Sequence, residues 1–171
     1  MLEKRKVLRL KKGDVFRWQI ADGLYGYAQY IEPTLTVFFS KYSTGPLEAK
    51  DLIDLPAAFK LCVYKSAFKD ENSEKIGNIA VLAENGVKPT TFKQDIISGG
   101  LFIYDESGHP NNIWRPASYE ECKNIETTSI WEFGHVRRRL LELYDKKPNR
   151  WTGEHVIDKE KLAKYLEQQK Q

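Results

Sequence analysis

Hydrophobic and polar residues alternate from Val15 to Ile20, with Phe16, Trp18 and Ile20 on one side and Val15, Arg17 and Gln19 on the other. That period of two is the signature of a strand with one buried face. Asp22-Gly23 follows, and glycine's tolerance of positive φ makes the pair a turn. The return strand runs over residues 24–31, where Gly26 and Ala28 share a face and leave room for another element to approach the backbone. Pro33 ends it, and residues 34–39 read as a third strand, rich in β-branched and aromatic side chains. Gly45-Pro46 breaks the chain, and Leu47, Leu52, Ile53 and Leu55 suit a short helix over 46–55 with proline in its first turn. Strands are expected over 57–68 (containing FKLCVY), 76–82 and 101–105 (LFIYD), with a polar loop, KDENSEK, at 69–75 and a turn-rich loop at 108–112.

The last third changes period. Ser118 and Glu121 have capping-box spacing, and Ser129 and Glu132 repeat it. Phe133, Val136, Leu140, Leu143 and Tyr144 then recur at helical spacing, and Pro148 stops the run. Asp158 can cap a final helix with Leu162, Tyr165 and Leu166 as its apolar stripe. Strands first and helices last predict an α+β fold: a curled antiparallel sheet, partly barrel-like, with C-terminal helices packed against it. Residues 1–12 read as a basic arm, 13–151 as a single domain and 152–171 as a helical tail.

Composition refines this picture in two places. The net charge of +3 is unevenly spread: residues 1–12 carry six Lys/Arg and one acid, 13–136 eleven and seventeen, and 137–171 ten and six. The central segment is acidic and repels phosphate, which argues against nucleic acid and for a basic protein partner. The two cysteines, Cys62 and Cys122, are far apart and form no CxxC, as expected for reduced thiols in a cytoplasmic protein. The N-terminal residues do not read as a secretory signal, and no apolar run approaches the ~20 residues of a membrane span.

Candidate chemistry is sparse. His109, His135 and His155 form no HxH, HxxxH or HExxH motif, so no metal is expected. Cys62 sits in apolar FKLCVY, and Cys122 follows two glutamates, contexts that keep a thiol protonated. SGGLF lacks phosphate-loop spacing. The acid pairs Glu120-Glu121, Asp70-Glu71 with Glu74, and Asp105-Glu106 read as solvated. Arg137-Arg138-Arg139 fan over about 200° of a helix and cannot all face one ligand. No enzyme activity and no cofactor are expected.

The segment KKGDVFRWQIADGLYGYAQYI resembles the opening of the immunity protein 26 family, which accompanies bacterial polymorphic toxins. The likeness continues through LPAAFKLCVY, KPTTFKQD, RPASYEEC and SIWEFGHVRRRLLELYDKKPNRW, over roughly residues 6–151. KDENSEK, with no tryptophan before the next strand, is a departure. The resemblance implies an antitoxin that binds and occludes a cognate toxin, which could be a nuclease, and that needs no catalytic group of its own. It hands over no functional residues. On physical grounds, Asp14, Asp22, Asp70, Glu71 and Glu74 are candidates for contact with a basic toxin, with Tyr25 and Tyr27 as aromatic anchors. Solvated loop positions are the plain alternative for the acids, and core packing for the tyrosines. A competing expectation is a small nucleic-acid- or peptide-binding module that uses basic and aromatic residues.

Overall fold

A computed structural model of the chain describes residues 8–104 and 114–170. The expected loop at 108–112, His109 and the Asp105-Glu106 pair lie outside these residues. In chain order the strands are β1 (Asp14–Ala21), β2 (Leu24–Glu32), β3 (Leu35–Ser43), β4 (Ala57–Val63), β5 (Ser73–Asn78), β6 (Thr91–Gln94), β7 (Leu101–Tyr104), β8 (Trp114–Ala117), β9 (Glu126–Thr127) and β10 (Ile130–Trp131). The helices are α1 (Tyr119–Cys122), α2 (Phe133–Tyr144), α3 (Gly153–Val156) and α4 (Lys159–Gln168). The fold class is α+β, as expected. Contacts divide the chain into two compact units. One comprises residues up to Val87 together with Ile130–Lys146, the other Lys88–Ser129 together with residues from Lys147 onward.

The first unit is a curled six-stranded sheet in the order β10-β4-β3-β2-β1-β5, antiparallel except for the parallel pairing of β10 with β4. Irregularities in the β1–β2, β1–β5, β2–β3 and β3–β4 pairings bend it. Phe16, Trp18 and Ile20 are buried together on one face, as their alternation requires. Trp18 has ring-centroid distances of 5.3 Å to Phe38, 5.7 Å to Phe68 and 5.3 Å to Phe133. Helix α2 crosses this face at Gly26, where an added Cβ would sit 3.0 Å from Leu140 Cδ1 and 3.1 Å from the Tyr144 hydroxyl. The close approach expected of Gly26 is therefore made by α2.

The opposite face is also closed. Val15, Tyr27, Ile31, Val37 and Phe39 pack with Leu52 from a single 3-10 turn, Ala49–Leu52. That turn replaces the expected helix over 46–55, because Asp54 adopts φ +65° and Leu55 precedes Pro56, which disfavours helical backbone. KDENSEK is only half a loop: its last three residues open β5, the edge strand beside β1, where polar side chains face solvent.

The second unit has a four-stranded sheet in the order β8-β7-β6-β9. Phe92, Leu101, Ile103, Cys122, Ile157 and Leu162 form its core. β6 and β8 are short strands without strong alternation, and Pro116 in β8 is tolerated because β8 is an edge. The Ser118–Glu121 capping box forms at α1, and Asp158 caps α4 by accepting from the Lys161 amide at 3.0 Å. The second expected box does not form: Ile130 and Trp131 are taken up by β10, and α2 starts after Glu132.

Asp14 ties the start of β1 to its neighbours. Its carboxylate accepts from Lys75 Nζ at 2.7 Å, from Asn78 Nδ2 at 2.9 Å and from the Lys11 amide at 2.9 Å. Burial pushes its pKa up, but these donors outweigh burial and hold it below the ordinary carboxylate value. A depressed carboxylate stabilises the fold above its unfolded pKa of about 3.9, and that contribution is lost as pH falls through the folded value. Asp14→Asn is therefore expected to lower stability at pH 7 by about 1–3 kcal/mol. It should also lose less stability than the parent between pH 5 and pH 3, as read by urea denaturation. Gly26→Val forces Leu140 and Tyr144 away from the sheet. We expect it to cost about 1–3 kcal/mol, measured as a fall in melting temperature.

Candidate functional site

The β1–β2 connection is the two-residue turn Asp22-Gly23, with Ala21 opposite Leu24 and Gly23 at φ +63°. Asp22 is exposed at its tip. The chain entering β5 lies alongside, because the Gln19 amide donates to the Asn72 carbonyl at 2.9 Å. Within that entry, Asp70 Oδ1 accepts from the Asn72 amide at 2.9 Å and from Asn72 Nδ2 at 3.0 Å, which fixes a side-chain-closed turn. Glu71 is exposed on this turn. Glu74 stands opposite Arg17 in the β1–β5 register and pairs with it. The Arg17 guanidinium in turn lies 5.5 Å from the centre of the half-buried Tyr25 ring.

The fold thus brings Asp22, Tyr25, Asp70, Glu71 and Glu74 to one end of the first sheet. It does not bring Asp14 or Tyr27 to the surface there. Asp14 is buried in the network described above. Tyr27 is 1% exposed; its hydroxyl lies 2.6 Å from Ser43 Oγ and accepts from the Leu47 amide at 2.9 Å, so it anchors the segment after β3. Asp14 and Tyr27 could therefore influence a partner only by holding the strands that carry the others.

Sequence reading missed Arg17, which orders Glu74 and covers Tyr25. Its place on the polar side of the β1 alternation is the one signal that could have found it. Arg17 also neutralises Glu74, leaving Asp22, Asp70 and Glu71 as the carboxylates that set the sign of this end. Arg137 reaches the same end and donates from Nε to the Ile20 carbonyl.

The remaining polar groups serve the fold. Arg139 is 6% exposed, with its guanidinium 4.1 Å from the Phe59 ring centre and 5.4 Å from that of Trp131. Arg138 is exposed, so the three arginines diverge as the helix geometry requires. Glu121 accepts from the Ser118 amide and from Arg115, which lowers its pKa to about 2. Glu120 pairs with Lys123 at 2.6 Å. Burial and the neighbouring Glu121 push the Cys122 thiol up to about 11, which keeps it protonated and unreactive. Cys62 and Cys122 are not joined in a disulfide. Among the described residues, no group of three or more His, Cys, Asp or Glu side chains is placed to hold a metal ion, and no helix is long and apolar enough to cross a membrane.

Comparison with known proteins places this geometry in context. The family model of immunity protein 26 matches residues 11–101, more than half of the chain, from just before β1 to the first residue of β7. No curated protein and no solved structure matches the chain. The strands that carry the clustered carboxylates and Tyr25 all fall inside the matched segment, and the chain belongs to the immunity protein 26 family.

Proposed function

We propose that this protein neutralises a cognate toxin by binding it stoichiometrically and covering the surface with which the toxin acts, breaking no bond itself. The observation that carries the reading is the convergence of Asp22, Asp70 and Glu71 on two tight turns beside Tyr25, in a chain of an immunity-protein family. Turns closed by backbone and side-chain hydrogen bonds are ordered before the partner arrives, which reduces the entropy cost of association. Exposed carboxylates accelerate encounter with a basic surface and reject acidic ones. A nuclease is basic where it grips phosphate, and this is the class of toxin that such an end would fit. Two cysteines outside any disulfide are compatible with action in the reducing cytoplasm.

The test uses the toxin domain encoded beside this protein. Co-expression should restore growth to cells making the toxin, and the two proteins should co-purify. The double variant D22K/E71K is expected to weaken the complex about 10- to 100-fold, mainly through slower association that added salt no longer affects. Tyr25→Ala should accelerate dissociation instead. Unchanged kinetics in both variants, measured by surface plasmon resonance, would remove the hairpin end as the docking site.

A further inference from the structure

A groove of about 740 Å³ opens at the other end of the same six-stranded sheet. Its walls come from the chain just before β1, from the end of β2 and the β2–β3 turn, from the end of β4 and from β10. This is the end opposite the Asp22-Gly23 turn, because β2 runs from one to the other. Leu10, Pro33, Val63 and Ile130 make the groove apolar, and the Tyr64 ring, 47% exposed, stands at its side. Arg9, Lys11 and Lys65, all exposed, supply three positive charges, and among the described residues no carboxylate lines it.

We propose that this groove is a second docking surface that takes an acidic segment of a protein partner, with an apolar side chain seated between carboxylates. Charge decides the sign of the occupant: three exposed cations favour negative groups and reject basic ones. Shape decides its class. The volume is that of a site for a few side chains. Single-stranded nucleic acid needs successive open ring faces on which to stack. Here Tyr30 is held edge-on against Phe68, with ring centroids 5.8 Å apart at 89°, which leaves Tyr64 as the exposed ring of the groove. Cys62 lines the groove and is partly exposed, whereas Cys122 is buried, so Cys62 reports occupancy by its alkylation rate.

The experiment uses the full chain and a fluorescein-labelled heptapeptide, Glu-Asp-Leu-Glu-Trp-Asp-Glu, read by fluorescence anisotropy at low and moderate salt. The same peptide with lysine at each acidic position and a twelve-residue oligothymidylate serve as comparison probes. We expect saturable binding of the acidic peptide only, about tenfold weaker in the variant R9Q/K11Q/K65Q. Bound peptide should slow alkylation of Cys62 in the unaltered protein. The three substituted side chains are exposed, so the variant should melt as the parent does. Absence of peptide binding at low salt, equal binding by parent and variant, or a Cys62 alkylation rate that peptide does not change would overturn the proposal. Binding of oligothymidylate that is lost in the same variant would overturn it in favour of nucleic acid. Because the probe is a free peptide, none of these results depends on where the toxin docks.

Discussion

The burial of Trp18 is the contact around which the first unit is built. Its indole is enclosed by Phe38 from β3, Phe68 from the turn after β4 and Phe133 from the start of α2. Three segments distant in sequence are thereby fixed against one strand. Burying an indole removes about 150–250 Å² from water, worth roughly 4–6 kcal/mol at 25 cal/mol per Å². Its ring N–H is left without a hydrogen-bond partner, at a cost of about 1–3 kcal/mol. The apolar gain exceeds that cost, so the site holds. Helix α2 can close over the strands only because Gly26 offers no side chain beneath Leu140 and Tyr144.

Both faces of the sheet are covered by other elements. The strand alternation commits successive side chains of β1 and β2 to one buried layer or the other, and exposed charge collects where the strands turn. At the β1–β2 turn the exposed groups include Asp22 and Glu71; at the β2–β3 turn the groove presents Arg9, Lys11 and Lys65.

The titratable groups most strongly displaced do structural work. Glu121 closes a helix cap, and Cys122 is in a core. Tyr144 is driven well above the ordinary tyrosine value by burial, and its ring packs 4.4 Å from that of Tyr42.

The sequence by itself determined the local elements whose cause is local. The alternation of β1, the Asp22-Gly23 turn, the α1 capping box, the Asp158 cap and the periodicity of α2 are each fixed by residues within a few positions of one another. It also marked Gly26 as a place of close approach, without saying by what. The tertiary structure decided which polar residues pair and which stay open. Asp14 and Asp22 are chemically alike and eight residues apart in sequence. One is buried because Lys75 and Asn78 arrive beside it from β5; the other is exposed at the hairpin tip. Tyr25 and Tyr27 share a strand face but differ in burial: the Tyr27 hydroxyl is bonded to Ser43 and to the Leu47 amide in the returning segment, while Tyr25 stays half-buried nearer the hairpin tip. KDENSEK reads as loop because an edge strand that makes one set of ladder bonds needs no hydrophobic alternation, and only its neighbour β1 turns it into β5. Burial of a polar group depends on partners distant in the chain, and a single sequence carries no record of their distance.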